Sequence, residues 1–389
     1  AAMTTPYRAI QWTKQKAYFD LALLCAVFLY LTLFTAISLA RIARPDYPEI
    51  GAVVSRALAT LALLLLHFVL AIGPLSRINP AFVVLIPHRR HLGVVMFLVA
   101  MAHAGLSTVL RHTGGVLNPL ASIVLGNGQI VSPGEWPFEV FGLAALIILA
   151  AQAATSHDFW IAYLSPEGWK RLQMLGYVAY ALILVHAVLG VVRESRNPLF
   201  AILLIAGMVV LLLLHRKAAA IEWARDRETG IPDSEGYIPV CPPEHIPLGR
   251  ARIVRVGNER VAVFRYWQGI SAVSNVCPHQ CGPLGEGGMV AGCVRCPWHG
   301  AIFFPQNGLA PPPNDQCVPT FPVKLVDGCI YVGPAPFPLG YESHPLPVPG
   351  QKGRAASVAG QIQSERGVVS SQRKPAGLES PAETAGEEI

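Results

Sequence analysis

The sequence predicts a multidomain protein in which an all-α bundle of six membrane helices precedes an all-β antiparallel sandwich and a disordered tail. Of the 389 residues, 52% are hydrophobic and only 14% are charged, against about 25% charged residues in an ordinary soluble domain. The long apolar runs lie within residues 1–225, whereas residues 237–333 contain short alternating segments. Residues 334–389 are rich in Pro, Gly, Ser, Ala and Glu, a composition typical of disorder.

Six apolar runs in the first region are long enough to cross a bilayer. A hydrocarbon core of about 30 Å needs about 17–25 helical residues. The predicted spans cover residues 18–40, 54–74, 92–111, 138–155, 171–192 and 198–216. The fourth is the weakest, because Gln152 and Thr155 dilute its end. We therefore expect residues 1–225 to form one six-helix membrane domain.

The Lys and Arg residues that flank these spans predict the orientation of the bundle. Twelve of these residues are predicted to lie on one side of the membrane: Arg8, Lys14, Lys16, Arg77, Arg89, Arg90, Lys170, Arg171, Arg216, Lys217, Arg225 and Arg227. Six are predicted to lie on the other side: Arg41, Arg44, Arg56, Arg111, Arg193 and Arg196. Cytoplasmic loops carry the excess of basic residues. We therefore expect both termini, and the region after residue 225, in the cytoplasm.

The most specific motif pairs Cys277-Pro-His279 with Cys296-Pro-Trp-His299 across sixteen intervening residues. In a Rieske [2Fe–2S] centre two cysteines hold one iron and two histidines hold the other. Each loop here supplies one ligand of each kind, so the four residues are predicted to bind such a cluster. The alternative is zinc, which also accepts two cysteines and two histidines but favours a Cys-Cys…His-His order.

The segments CPHQCGPLGEG and CPWHGAIFF, between the strand-like segments IVRVGNERVAVFRY and TFPVKLVDGCIYVG, resemble Rieske ferredoxins and the Rieske domains of ring-hydroxylating oxygenases. The resemblance covers residues 237–333 and implies a small antiparallel β-sandwich with the cluster at one tip. Rieske proteins of respiratory quinol-oxidising complexes have a disulfide between an extra cysteine in each loop. Here Trp298 stands at one such position, and Cys281 and Cys293 lie elsewhere. These two thiols are expected to be buried and free, with a bridge as the alternative.

Three histidines, His67, His103 and His186, lie inside predicted spans. An ionisable residue at such a position indicates a functional site, although each could instead be a histidine hydrogen-bonded to a neighbouring helix. His103 and His186 lie on spans of the same direction, each about 18–20 Å from the inner end at about 1.5 Å per residue. Two imidazoles at matching depth can hold one haem iron from both faces. His67 is a further candidate, as a ligand or as a partner of the haem or its ligands.

The segments RRHLGVVMFLVAMAH (89–103) and TSHDFWIAYLSPEGWKRLQMLGYVAYALILVH (155–186) resemble the ferric-reductase-like transmembrane family. The likeness is greatest to its bacterial haem-b branch, the membrane subunit that delivers electrons to a periplasmic methionine-sulfoxide reductase. It covers roughly residues 54–215 and implies a b-type haem bound by His103 and His186 in a bacterial-type inner membrane. Gln173 stands where that branch often has another histidine.

Together these features predict a membrane-bound electron-transfer protein that passes single electrons between a cytoplasmic [2Fe–2S] cluster and a transmembrane haem b. The expected partners are the lipid bilayer and a quinone or redox-partner protein, and nucleic acid is not expected. We find no glycine-rich nucleotide motif, so any NAD(P)H or flavin is expected to be used by a partner. The alternatives are a Rieske oxygenase component, a ferric or metal reductase, and a non-redox membrane scaffold. An oxygenase needs a 2-His-1-carboxylate iron site, and His344 is the one histidine after residue 333.

Overall fold

The computed structural model describes residues 14–40, 50–113, 117–125, 138–156, 160, 164–192, 198–227, 230–279, 281–298, 300–312 and 314–348. The helices in these ranges are α1 (Lys14–Leu39), α2 (Ile50–Ile78), α3 (Arg89–His112), α4 (Pro119–Leu125), α5 (Glu139–Ala154), α6 (Pro166–Ala187) and α7 (Pro198–Arg227). They form the unit called the bundle below. A 3₁₀ segment, Pro80–His88, connects α2 to α3, and a π-helical turn, Val188–Val192, follows α6.

Residues 230–348 form a second unit, called the β domain. Its strands are β1 (Ile238–Cys241), β2 (Arg250–Val256), β3 (Glu259–Tyr266), β4 (Gly269–Ser274), β5 (Gly288–Val290), β6 (Cys293–Arg295), β7 (Ile302–Phe303), β8 (Thr320–Phe321), β9 (Val323–Val326) and β10 (Cys329–Val332). They make three antiparallel sheets, in the orders β2-β3-β4-β8, β1-β10-β9 and β5-β6-β7. The predicted fold class, an all-α bundle followed by an all-β antiparallel domain, is confirmed.

The predicted number of six helices is wrong, because the described part of the chain has seven. Five helical segments are long and apolar enough to cross a membrane: Lys16–Leu39, Ile50–Ile78, Ala81–His112, Glu167–Gly190 and Pro198–Arg227. The predicted fourth span is helix α5, which has 16 residues. At about 1.5 Å per residue its length is about 24 Å, less than a typical hydrocarbon core of about 30 Å.

The helix missing from the sequence prediction is α4, which has only seven residues. Its start carries local signals rather than an apolar period. Pro119 occupies the first helical position, and the Asn118 side chain accepts a hydrogen bond from the Leu120 amide at 2.9 Å. Proline and asparagine at these positions are typical of a helix start. A helix of two turns is too short to give a periodic pattern, so hydropathy alone does not reveal it.

Helix α2 lies at the centre of the bundle and packs against α1, α3 and α7. Its buried face includes Ala57, Leu61 and Leu65, which recur four residues apart. Met96 of α3 and Leu211 of α7 belong to the same apolar cluster. By contrast, many large apolar side chains of α1 and α7 are exposed in the isolated chain. That exposure is expected of helices surrounded by lipid tails, which are as apolar as leucine.

Strand β3 is central to the β domain because both of its faces are buried. Val261 and Val263 pack into a core shared with β1 and β10. Ala262 and Phe264, which alternate with them, pack into an opposite core that also contains Cys277. The first core joins two sheets into the predicted sandwich. The second core joins the sandwich to the loops that carry the predicted cluster ligands, so β3 supports those loops directly.

The folded chain extends past the predicted tail boundary at residue 334. Leu346 and Ile270 exchange two backbone hydrogen bonds, of 2.8 and 2.9 Å, across an antiparallel bridge. The Phe337 amide donates to the Thr320 carbonyl at 2.8 Å. Residues 334–348 therefore lie against β4 and β8 and cover an edge of the sheet. The remainder of the predicted tail, 349–389, lies outside the described residues.

Two glycines with matched backbone conformation provide a test of how closely the chain packs at Gly308 in the β domain. Gly308 has φ +72° and Gly328 has φ +76°. A Cβ at Gly308 would lie 1.8 Å from the Val318 carbonyl oxygen, whereas a Cβ at Gly328 would meet nothing within 4 Å. We expect Gly328→Ala to cost about 1–2 kcal/mol from its left-handed backbone alone. Gly308→Ala should cost about 3 kcal/mol or more, because the backbone must also shift.

The measurement is amide hydrogen exchange of β3 and β4 in the full-length protein, which reports the stability of these strands. Equal protection of the strands in the two variants would contradict the packing described for Gly308.

Candidate functional site

The first loop of the predicted cluster site folds back on itself through two backbone hydrogen bonds. The Cys277 amide donates to the Gly282 carbonyl at 2.9 Å, and the Cys281 amide donates to the Cys277 carbonyl at 2.8 Å. Cys281 adopts φ +56°, an uncommon value for a residue with a side chain. The loop therefore makes a tight turn with Cys277 at its start and His279 in its middle.

The second loop repeats the hydrogen bonds of the first at equivalent positions. The Cys296 amide donates to the Ala301 carbonyl at 2.7 Å, and the Gly300 amide donates to the Cys296 carbonyl at 3.0 Å. Gly300 has φ +76° and occupies the position that Cys281 has in the first loop. The two loops thus share one backbone design, in which a cysteine opens each turn. His299 lies outside the described residues.

The two loops meet closely, and the predicted thiolate ligands lie in their shared interior. Cys277 and Cys296 are 0% and 2% exposed. A Cβ at Gly282 of the first loop would lie 2.8 Å from the Cys296 sulfur of the second. Gly282 therefore allows one loop to approach the thiol of the other. His279 is less buried, at the rim. Two buried thiols and an outer imidazole fit a cluster whose two irons have different protein ligands.

Cys281 and Cys293, both in the described part of the chain, are not joined in a disulfide. Cys293 is buried in β6, and Cys281 is partly buried in the first loop. Within the described ranges, no three His, Cys, Asp or Glu side chains converge as ligands of one metal ion. A [2Fe–2S] cluster of this type takes only two protein ligands on each iron.

The first loop also lies near the start of helix α6 in the bundle. Burial raises the pKa of the Cys281 thiol, while the charges of Lys170 and Glu167 act on that pKa in opposite directions. Both charged residues belong to the first turns of α6. The loop that carries Cys277 and His279 is therefore close to the end of the bundle that adjoins the β domain.

Two of the three membrane histidines share one hydrogen-bonding arrangement. His103 of α3 has its Nδ1 atom 3.0 Å from the Ser55 carbonyl oxygen on α2. His186 of α6 has its Nδ1 atom 2.9 Å from the Phe138 carbonyl oxygen just before α5. Because a carbonyl oxygen accepts, Nδ1 carries the proton in each ring, and Nε2 is the nitrogen with a lone pair. This is the arrangement typical of a histidine that binds a metal.

The third histidine, His67, has both ring nitrogens engaged by the protein. Its Nδ1 atom donates to the Leu63 carbonyl at 2.8 Å, and its Nε2 atom accepts from the Tyr180 hydroxyl at 3.0 Å. Of the two roles predicted for His67, this geometry favours a partner in a side-chain network over a direct ligand.

Glycines that sequence reasoning did not single out bring neighbouring helices close to two of these histidines. A Cβ at Gly142 of α5 would lie 2.8 Å from the His186 Nδ1 atom, and one at Gly207 of α7 would lie 2.7 Å from the His67 Nε2 atom. Small residues allow membrane helices to approach each other closely. The sequence does show glycines inside apolar spans, which indicates close helix packing. It does not show which residue of a neighbouring helix each glycine contacts.

Other histidines of the bundle pair with polar groups as well. His91, at the start of α3, lies 2.8 Å from Asp20 of α1. His215 of α7 accepts from the Tyr177 hydroxyl of α6 at 2.9 Å, and His112 bonds the Ser122 hydroxyl at 2.7 Å. The first of these contacts connects α1 to α3, and the second connects the consecutive helices α6 and α7.

Comparison with known families matches two separate models to the two units of the chain. Residues 56–184 match the ferric reductase like transmembrane component, and residues 236–322 match the Rieske [2Fe-2S] domain. The chain joins a ferric reductase-like transmembrane domain to a Rieske [2Fe–2S] domain. It is therefore a multi-pass membrane protein with an iron–sulfur domain, as the two resemblances implied.

Curated relatives resemble one unit or the other. The Rieske domain is 35% identical to the anthranilate 1,2-dioxygenase ferredoxin subunit of Burkholderia cepacia, over 20% of this chain and 71% of that protein. The ferric reductase-like domain is 33% identical to the heme-binding subunit MsrQ of a protein-methionine-sulfoxide reductase from Agrobacterium fabrum. That match covers 33% of this chain and 53% of MsrQ.

The magnetosome protein MamZ of Magnetospirillum gryphiswaldense is 29% identical over 42% of this chain. The chain spans only 23% of MamZ and about half of MsrQ.

The contact between the two loops predicts that Gly282 is essential for a filled Rieske site. In Gly282→Ala, the new methyl group would displace the Cys296 sulfur and contact Trp298. We expect most of the [2Fe–2S] cluster to be lost while the bundle remains intact. Iron and acid-labile sulfide content, with the visible spectrum of the cluster, measure this loss.

The control is Gly292→Ala, because Gly292 has φ +76° but a Cβ at this position would meet nothing within 4 Å. This control carries backbone strain without a contact to the loops. If Gly282→Ala retained as much cluster as Gly292→Ala, cluster binding would not depend on the close approach of the two loops at Gly282.

Proposed function

We propose that this chain transfers single electrons between a [2Fe–2S] cluster in its Rieske domain and a haem b within its membrane bundle. Cys277, His279, Cys296 and His299 hold the cluster, and His103 and His186 hold the haem. The observation that carries this proposal is the matched pair of membrane histidines. Each presents one imidazole nitrogen to a carbonyl of a neighbouring segment and keeps Nε2 for iron.

The helices that carry the two haem-ligand candidates share a neighbour in the bundle. These helices, α3 and α6, both pack against α5. A haem-binding role is supported by the likeness to MsrQ, whose name describes a heme-binding subunit.

When bound, the haem and the cluster supply the one-electron redox chemistry, and the protein supplies orientation and electrostatics. The Ser55 and Phe138 carbonyls hold the two imidazole rings in place and make each ring a stronger electron donor. Lipid and the apolar side chains of α2, α3 and α6 exclude water from this region. In the Rieske domain, the buried Cys277 and Cys296 thiolates would lie in a low-dielectric core, while His279 lies nearer the surface.

We place the Rieske domain on the cytoplasmic side, following the twelve basic residues against six that flank the predicted spans. The electron donor or acceptor is then a quinone in the membrane or a redox-partner protein. The likeness to a ferredoxin subunit favours a protein partner at the Rieske tip. The likeness to MsrQ favours a partner at the opposite membrane face.

The ligand assignment predicts selective losses of cofactor. His103→Ala and His186→Ala should each remove the b-type absorption spectrum, because each removes one axial bond to iron. His67→Ala is the matched control: it also removes an intramembrane histidine, but one whose two nitrogens already bond to Leu63 and Tyr180. We expect this control to retain haem. The measurement is the reduced-minus-oxidised spectrum and the haem content of the purified full-length chain.

A His103→Ala protein with an unchanged haem spectrum would show that the ligand assignment is wrong. His299→Ala serves as the converse control, since it should remove the Rieske electron-paramagnetic-resonance signal and leave the haem in place.

Electron transfer itself is tested in oriented membrane vesicles that expose the Rieske domain. A membrane-impermeant reductant added on that side should reduce the cluster first and then the haem. In His299→Ala, haem reduction from that side should be largely lost, since its route begins at the cluster. Parallel additions of a defined quinol and of NADH identify which class of donor acts. Equal rates of haem reduction with and without the cluster would overturn the proposal.

A further inference from the structure

Helix α7 continues beyond the membrane and contacts the β domain. Its 30 residues span about 45 Å at about 1.5 Å per residue, against about 30 Å of hydrocarbon. The last turns are polar, and Glu222 and Asp226 lie four residues apart on them, so they share one face of the helix. Strand β2 lies beside this end of α7.

Arg260 of β3 binds both of these carboxylates. Its Nε and Nη2 atoms donate to the two Asp226 oxygens at 2.9 and 2.7 Å, and its Nη1 atom donates to Glu222. A planar guanidinium that meets one carboxylate with two parallel hydrogen bonds forms a strong and directional ion pair. The side chains of Arg260, Glu222 and Asp226 are partly buried, with 33%, 16% and 19% of their surface exposed. Asp226 and Glu222 accordingly raise the pKa of Arg260. We call these three residues the Arg260 clamp.

The buried apolar cores of the two units are separate in the described ranges. Each of the three apolar core clusters lies wholly within the bundle or wholly within the β domain. A cavity of about 300 Å³ lies between them, and its lining mixes charged residues such as Arg77 and Glu286 with apolar ones such as Val83 and Ile253. Domains joined by a small interface move relative to each other unless specific contacts hold them. The Arg260 clamp is such a contact.

The clamp is directly connected to the cluster loop. The Arg260 carbonyl accepts a hydrogen bond from the Asn275 amide at 2.8 Å, and Asn275 precedes Cys277 by two residues. The Asn275 side chain also accepts from the Gly285 amide at 2.7 Å, and its carbonyl accepts from the Leu284 amide at 2.9 Å. The Arg260 main chain is therefore hydrogen-bonded to the segment that leads into Cys277, so the clamp and the cluster loop belong to one rigid part of the β domain.

We infer that the Arg260 clamp positions the Rieske domain on the bundle and so controls the rate of electron transfer between the cluster and the haem. This inference rests on the proposed function, because it assumes that both cofactors are present and exchange electrons. Arg260, Glu222 and Asp226 act as positioning residues. They fix the distance between the two cofactors, and electron-transfer rates fall steeply with that distance.

The test replaces Arg260 with Glu in the full-length protein, which places three carboxylates together. We expect intramolecular transfer to slow on the order of tenfold or more, since a small misplacement of reacting partners is costly. Cluster content, haem content and the cluster's electron-paramagnetic-resonance signal should stay unchanged, which a general folding defect would not allow. The double variant Arg260→Glu with Asp226→Arg should recover much of the rate by restoring a pair of opposite charges.

The control is Arg255→Gln, because Arg255 lies directly opposite Arg260 on the neighbouring strand but donates to Gly257 and Asn258 of its own hairpin. Glutamine removes its charge without placing a new carboxylate beside Arg260. This variant should transfer electrons at the wild-type rate. Added salt should slow the wild-type protein and Arg255→Gln only modestly, because a partly buried ion pair is screened less than an exposed one. It should speed transfer in Arg260→Glu, because salt screens the repulsion among the three carboxylates.

Should Arg260→Glu lose its cluster, Asp226→Asn supplies a second test from the helix side, outside the β domain. A wild-type rate in Arg260→Glu or in Asp226→Asn would overturn the inference. A wild-type protein without any transfer from cluster to haem would instead overturn the proposed function. In that case faster amide exchange at the end of α7 in Arg260→Glu would still show that the clamp docks the Rieske domain. The inferred control of the transfer rate would then be wrong, because no transfer occurs.

Discussion

The hydrogen bond from an imidazole to a backbone carbonyl is the constraint on which the membrane centre depends. In hydrocarbon, a polar group without a partner is costly, so a membrane histidine must satisfy at least one nitrogen. His103 and His186 do so through Nδ1, with the Ser55 and Phe138 carbonyls. That choice directs Nε2 away from the backbone of the partner segment. It also requires close helices, which explains Gly142 beside His186.

In the β domain, the cysteines of the two loops are buried and supported by packing against one strand rather than by hydrogen bonds to a neighbouring helix. Thiolates need shielding from water and a rigid frame, and strand β3 provides both because its two faces are buried. Phe264 and Cys277 occupy one core, while Val263 occupies the other. The alternation of apolar side chains, with almost no polar face, is what allows the sandwich and the cluster loops to pack on one strand. The two loops then need only short turns to bring Cys277 and Cys296 together.

Much of this architecture is readable from the sequence, because its strongest signals are local. The Cys-His pairs at 277–279 and 296–299 are short motifs, and the long apolar runs are continuous. Helix α4 escaped prediction because two turns carry no period, and Leu346 escaped because its strand partner, Ile270, is distant in sequence. Arg260, Glu222 and Asp226 look like ordinary surface charges in a sequence. Their significance depends on a contact across more than thirty residues, and hydropathy and motif spacing contain no information about it.

A charged junction has consequences that an apolar one would not have. Burial raises the pKa of Glu286 in the cavity between the units, while Arg77, Arg225 and Arg260 act on that pKa in the opposite direction and Glu222 in the same one. Two residues of the Arg260 clamp therefore share an electrostatic environment with Glu286. Any change of charge in the cavity therefore acts on residues of the Arg260 clamp. Charged contacts also weaken with salt, whereas apolar packing does not. If the Arg260 clamp positions the Rieske domain as we infer, the distance between the two cofactors depends on interactions whose strength varies with local charge.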